Sequence, residues 1–321
     1  MLISVVVCTH NPDLNLLIRC LEAISNQIKS DYAYELIVID NCSNIDFKGH
    51  IPDTVQFKYI YEERLGLTYA RLRGIEISKG GYICFVDDDN ILDDDYLINI
   101  NEIVSCHSKL GCFGAGIISP IFEKIPDASL IPYIGSLALR NEIEDQISND
   151  ISDYYYPYGA GMVVRRDVAL KYSEDVVNSE LKLSLDRKGN QLNSCGDDHF
   201  SWIAIRMGLQ KGVFTTLKLK HYIPRNRVQK EYLLRMAESF GYSRSLLFHI
   251  NGKEFPGLRI ITSNHSNIHQ VPAWIRLLYS FYINIKKKML FPNRSLESEF
   301  IDARNKGVLR FYNTVYLKEI S

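Results

Sequence analysis

The sequence predicts an α/β domain with a largely parallel sheet, followed by a helical C-terminal extension. Three observations carry this expectation. Short, continuously apolar runs occur at residues 2–8, 36–39 and 82–86, the pattern of strands covered on both faces. Segments of helical periodicity alternate with them, which is the signature of an α/β layer structure. Polar residues follow the strands directly, at Thr9 to Asn11, Asp40 to Ser43 and Asp87 to Asn90. Ligands in open α/β sheets bind outside the carboxyl ends of the strands, so these three loops should share one crevice.

The first strand, 2–8, is rich in β-branched residues. Asn11-Pro12 reads as a helix N-cap and first-turn proline, and Leu14, Leu17, Ile18, Leu21 and Ile24 follow at helical spacing. Leu36 to Ile39 forms a second buried strand ending on Asp40, and Val55 to Tyr61 a half-exposed third. A helix from Thr68 to Ser78 stops at Gly80-Gly81. The strand Tyr82 to Val86 then runs into Asp87-Asp88-Asp89. Further on, Cys112 to Ile118 and Met162 to Val164 read as strands, and Arg166 to Tyr172 and Phe200 to Met207 as helices. Residues 119–157 are loop-rich and end in the aromatic cluster Tyr154 to Tyr158; residues 173–195 read as a mobile loop.

Composition narrows the function. The chain has 321 residues, 46% of them hydrophobic, enough for a sizeable core. Lys plus Arg number 37 against 38 Asp plus Glu, a balance that gives no case for nucleic acid binding. The seven cysteines are an odd number without C-x-x-C spacing, and several sit in apolar runs, so a reducing, cytoplasmic setting is expected. The apolar start lacks the basic flank and cleavage site of a signal peptide, and no apolar stretch reaches the length of a spanning helix.

The acidic run carries the chemistry. Adjacent carboxylates oppose one another's ionisation, and a divalent cation resolves this. Mg²⁺ and Mn²⁺ prefer oxygen ligands and share them with substrate phosphates. In an extended segment Asp87 and Asp89 face the same way, so the pair could address one metal-bound diphosphate. A solvated acidic turn is the alternative, and the preceding buried-strand pattern weighs against it.

At this point the sequence resembles the family 2 glycosyltransferases. The matching segments are Val5 to Pro12, Leu36 to Ser43, Gly66 to Ile75 and Tyr82 to Asp89, in order over about the first hundred residues. Gly159 to Arg166 and Gly196-Asp197-Asp198 extend the likeness to near residue 208. The resemblance implies a GT-A fold, a Rossmann-like nucleotide-diphospho-sugar transferase architecture. Residues 1–224 would be its catalytic domain, with 1–110 as the nucleotide-sugar half and 111–224 as the acceptor half; 225–321 would be the helical extension.

The resemblance also implies roles. Thr9, Asn11, Asp40 and Arg71 would line the nucleotide pocket. Asp87 would contact ribose or metal-bound water, Asp88 would hold the turn beside the donor, and Asp89 would ligate Mn²⁺ or Mg²⁺. His221 resembles the C-terminal histidine that supplies a further metal ligand. Asp198 aligns with the base that deprotonates the acceptor hydroxyl in inverting transfer, with Asp197 in support. On the residues alone, Asp40 as a turn cap, Arg71 as a surface helix residue, Asp197 and Asp198 as helix caps and His221 as a structural histidine stay open. Two departures stand out: relatives often have Pro-Thr-Tyr-Asn where this chain has Cys8 to Asn11, and Gly-Glu-Asp where it has Gly196 to Asp198.

The expected function is therefore glycosyl transfer, EC 2.4 in type. The donor would be a nucleotide diphosphate sugar, a UDP-sugar by preference. The acceptor would be a saccharide or lipid-linked saccharide of a polysaccharide pathway. A basic, aromatic, amphipathic segment at 272–290 suits either peripheral contact with the inner face of the cell membrane or packing on the catalytic domain. A sugar-nucleotide nucleotidyltransferase and a non-catalytic carbohydrate-binding protein are the competing readings.

Overall fold

The computed structural model describes residues 1–153, 155–253 and 295–316. Tyr154 and the segment 272–290 lie outside the described residues. The chain divides into two compact units, Met1–Leu233 and Leu234–Ser321.

The first unit is a sheet between two helical layers. Strands β1 (Leu2–Thr9), β2 (Ala33–Asn41), β3 (Lys58–Glu62) and β4 (Tyr82–Asp87) form a parallel block in the order β3-β2-β1-β4. Beyond β4 the order continues β9 (Met162–Arg165), β6 (Leu110–Phe122), β10 (Gln210–Ile223) and β5 (Asn90–Leu92). Strand β9 is antiparallel to β4 and β6, β10 is parallel to β6, and β5 is antiparallel to β10. The short β7 (Arg140–Asn141) and β8 (Gln146–Ser148) add antiparallel pairs to β6 and β10. The fold is α/β as expected, but the sheet is mixed rather than largely parallel.

The continuous apolar runs now have a cause. Ile3, Val5 and Val7 face one layer, where Leu17, Leu21 and Ile24 of α1 (Leu14–Ser25) and Ile100 of α3 (Tyr96–Cys106) pack. Val6 faces the other, against Ala70 and Ile75 of α2 (Leu67–Ile77) and residues of α4 (Arg166–Val176) and α6 (Gly196–Arg206). Every side chain of β1 between Ile3 and Val7 is fully buried, and each large aliphatic one contributes roughly 1.5–3 kcal/mol. Helix α2 lies close on β1 because residue 74 is glycine: a Cβ there would come 2.6 Å from a Val6 methyl.

Several local expectations change. The N-cap of α1 is Asp13, which accepts from Asn15 N and Leu16 N, while Asn11 takes a left-handed φ of 50°. Helix α2 ends at Ile77, before Gly80-Gly81. Helix α6 starts at Gly196, so Asp197 and Asp198 lie in its first turn rather than ahead of it. The segment 173–195, read as a mobile loop, continues α4 to Val176, forms the short α5 (Glu180–Leu183) and buries Leu185, Asp186 and Asn193. Its apolar residues are too widely spaced for helical periodicity to show.

The second unit contains most of α7 (Lys230–Ile250) and α8 (Leu296–Phe311). Lys306 and Arg310 both reach Glu238, and Phe311 meets His249 and Tyr242 edge-on. Among the described residues no helix is long and apolar enough to cross a membrane.

One buried group couples the α4–α6 packing to pH. His199 is fully buried, edge-on to Tyr172, with Nε2 3.1 Å from an oxygen of Asp175. Burial pushes the imidazole pKa down despite Asp175, aided by Arg206 and Lys182. The unfolded chain then binds more protons below about pH 6.5, so this stability is present above that range and is lost as pH falls through it. Unfolding of His199→Leu should show a shallower dependence between pH 7 and 5 than the parent, by up to about 1.4 kcal/mol per pH unit. Parallel curves would contradict this.

Candidate donor and acceptor site

One polar cluster is built at the carboxyl ends of β1, β2 and β4. Parallel pairing sets Thr9 beside Asp40, and Cys8 beside Asp87. The Thr9 hydroxyl donates to Asp88. Asp40 is buried and accepts from Ser43 N at 3.0 Å and from the Tyr59 hydroxyl at 2.6 Å. Asn11 ties the first two loops together: its N–H donates to Ser43 Oγ at 2.9 Å and its Oδ1 accepts from Asn44 N at 2.7 Å.

The acidic run is not extended. Strand β4 ends at Asp87, and Asp88-Asp89 form a turn leading into β5. The fully buried Asn90 locks this turn, accepting from Asp87 N at 3.3 Å and donating to Asp89 Oδ1 at 3.2 Å. The three carboxylates therefore diverge to different partners. Asp88 meets Thr9. Asp89 turns towards β10: its carbonyl accepts from Tyr222 N at 2.9 Å, and its Oδ2 lies 3.5 Å from His221 Nε2 and 3.2 Å from Arg227 Nη1. The pairing of His221 with Asn90 across β10 and β5 brings this histidine to the acidic turn.

Electrostatics separate the three further. Burial, then Asp89, pushes the Asp87 carboxyl above the usual carboxylate range. The same two causes push Asp88 up to about 7. Asp89 is also penalised by burial, but His221 and Arg227 outweigh it and hold this carboxyl below its ordinary value. Asp89 is thus the one of the three held below the usual carboxylate range.

Asp89 and His221 supply an oxygen and a nitrogen donor, a pair that suits Mn²⁺. His221 is buried, and its Nδ1 has no hydrogen-bond partner. Among the described residues no group of three or more His, Cys, Asp or Glu side chains is arranged to hold a metal ion. The chain therefore offers a partial set that fits a cation completing its shell with phosphate and water, as Mg²⁺ and Mn²⁺ commonly do.

A second polar cluster is built around α6. Asp198 is buried in its first turn. Asp197 accepts from Gly159 N and from Asp198 N, both at 2.9 Å, which pins the turn before β9 to the helix start. Arg71 is not on the surface: it is buried on α2 and pairs with the buried Asp186 at 2.9 Å. Burial disfavours the guanidinium charge, but Asp186, Asp197 and Asp87 together raise its pKa. It thus interacts with an aspartate of the donor run and with one at the start of α6.

Sequence reasoning missed Asn90, Asp153, Asp186, Lys211 and Arg227. Asn90 and Arg227 stand near recognised residues and could have been weighed there. Asp186 and Lys211 carry no local signal. Lys211 is fully buried on β10, paired with Asp153, 3.3 Å from the Tyr155 carbonyl and 3.9 Å above the Tyr156 ring. It holds the loop before Gly159.

Residues 4–105 match the model of glycosyl transferase family 2. That stretch is similar to the family. The putative glycosyltransferase EpsH of Bacillus subtilis is 30% identical over 99 residues, 29% of this chain and 28% of that protein. The glycosyltransferase GlyA of Streptococcus pneumoniae is 33% identical over 100 residues, 30% of this chain and 14% of that protein. The aligned part thus spans less than a third of the curated relatives' own length. A mannosyltransferase from Pyrobaculum calidifontis, solved with GDP-Man and Mn²⁺, has a TM-score of 0.55 at 14% identity, covering 98% of this chain and 87% of that one. At that identity the likeness concerns the fold, and it is GT-A. The family 2 match contains Thr9, Asp40, Arg71 and the acidic turn; α6 and His221 lie beyond it.

Lys211→Met should lower stability by about 1.5–3 kcal/mol, the value of hydrogen bonds to a charged group. It should also raise proteolytic sensitivity at residues 150–158, read by limited proteolysis. Unchanged stability and cleavage would remove the anchoring role.

Proposed function

We propose that the chain transfers a sugar from a nucleotide diphosphate sugar to a hydroxyl of a saccharide or lipid-linked saccharide, with inversion at the anomeric carbon. The observation that carries this is the partly buried Asp89 beside His221 and Arg227 in the turn after β4, in a stretch similar to family 2. The fold neighbour holds a nucleotide sugar and Mn²⁺, the class of donor and cation expected here. A UDP-sugar is the favoured donor.

In this reading Asp40, Thr9 and Asn11 shape the base and ribose pocket, and the two occupied oxygens of Asp40 orient it rather than leave it free to turn. Asp89 and His221 would hold Mn²⁺ or Mg²⁺, and Asp87 would serve ribose or water nearby. The bound cation would supply Lewis-acid neutralisation of charge on the departing nucleoside diphosphate. Asp198 takes the proton of the acceptor hydroxyl as that oxygen bonds to the anomeric carbon. The bond from that carbon to the diphosphate oxygen breaks on the opposite face. Asp197, with its oxygens engaged by Gly159 and Asp198, acts as a fixture of α6 rather than as a second base. Residues 272–290 remain the proposed site of peripheral membrane contact.

Two features weigh against the competing readings. A nucleotidyltransferase would carry a Gly-rich phosphate loop after β1, where this chain has Thr9-His10-Asn11-Pro12. A non-catalytic sugar-binding protein would not need Asp87, Asp89 and Asp198 together.

The test is turnover of UDP-, GDP- and dTDP-sugars with Mn²⁺ or Mg²⁺ and saccharide acceptors, followed by Asp198→Asn. One donor should be consumed. Asp198→Asn should then lower kcat by about 10²–10⁴-fold, the worth of a general base, while donor affinity stays near the parent value. Absence of turnover and binding for every donor would refute the transferase reading; near-normal transfer by Asp198→Asn would refute the base assignment.

A further inference from the structure

We infer that Asp186 is a positioning residue for sugar transfer: it clamps Arg71 to the start of α6 and thereby sets Asp198 relative to the donor turn. The inference rests on the transferase reading above and adds a residue from a segment that the family match does not reach.

The geometry is specific. Asp186 Oδ2 accepts from Arg71 Nη1 at 2.9 Å and from the Thr68 hydroxyl at 3.4 Å, both on α2. The same carboxylate accepts from Gly196 N–H, the first residue of α6. The N-cap position of α6 is Cys195, which makes no side-chain capping bond and sits at a left-handed φ of 82°. Asp186 therefore takes over the capping role from outside the helix, where a carboxylate also suits the helix dipole. Residue 196 has to be glycine for this, because a Cβ would overlap the Asp186 carboxylate.

The clamp joins the two halves of the site. Arg71 also feels Asp87, the first carboxylate of the donor run, and Asp197, which neighbours the base. Its guanidinium approaches Gly159, whose N–H binds Asp197. Removing the Asp186 charge leaves Arg71 with Asp197 and Asp87 as its remaining anionic neighbours, and takes the negative charge away from the start of α6, two residues before Asp198. A displacement of about 1 Å at a reacting group can cost on the order of 10²-fold in rate. The ligands of the donor turn, Thr9, Asn90 and His221, are untouched by the change.

The experiment compares the parent, Asp186→Asn and Thr68→Val in the full chain. Calorimetry with the nucleoside diphosphate of the productive donor gives Kd and the fraction of binding-competent sites; kcat is then expressed per competent site. Asn keeps the shape and one acceptor but removes the charge. We expect kcat per site to fall roughly 10–100-fold in Asp186→Asn, with Kd within about threefold of the parent. Thr68→Val keeps the ion pair and should lower kcat per site severalfold; it decides the matter if Asp186→Asn does not fold. Unchanged kcat per site in the variant that folds, or a loss that only tracks the competent fraction, would overturn the inference. A parent that consumes no donor would instead refute the transferase reading beneath it.

Discussion

Three carboxylates follow one another at the end of a strand buried on both faces, and the rest of the site is arranged around that crowding. Like charges this close cannot all ionise cheaply in a dry environment. The structure separates them by a turn rather than by solvent. Asp88 shares a proton-bearing partner, Thr9, from the neighbouring strand. Asp89 is swung to the far side, where His221 and Arg227 keep it charged. Asp87 stays nearer the middle, within the field of Arg71. Each solution recruits a different part of the chain, so the acidic run organises β1, α2 and β10 about one point.

Arg71 extends this organisation to the acceptor side. A buried guanidinium is expensive unless several anions answer it, and truncating one partner of a buried pair typically costs about 3–5 kcal/mol. Asp186 and Asp197 answer it from beside and within α6, and Asp87 from the acidic run. The same cation therefore serves carboxylates of both clusters. A neutral residue at 71 would leave buried charge uncompensated in both halves.

Much of the frame was legible in the sequence because it follows from short-range pattern. Apolar runs such as residues 2–8, broken only by Ser4, read as strands covered twice, and the acidic run at the end of Tyr82 to Val86 marked the crevice. What escaped depends on pairing across long separations. The antiparallel strand β5 is three residues long, too short for periodicity, yet it delivers His221 to Asp89. The polar residue chosen as the first helix cap was displaced by its neighbour: Asn11 turns left-handed to knit two loops, and Asp13 caps the helix. Asp186 is invisible from its surroundings in sequence, because its partners lie on α2, more than a hundred residues earlier, and at the start of α6, ten residues later. The mixed sheet is likewise a matter of where β9 inserts, which no local run of residues specifies.

The central proposal is that donor and cation are held through Asp89. Titration calorimetry of nucleoside diphosphates, with and without Mn²⁺, on the parent and on Asp89→Ala, tests it most directly. Binding should be strengthened by Mn²⁺ in the parent, and that gain should vanish in Asp89→Ala while a weak, cation-independent interaction with the base pocket persists. Equal Mn²⁺-dependent affinity in the two proteins would contradict the assignment and move the donor site away from the end of β4.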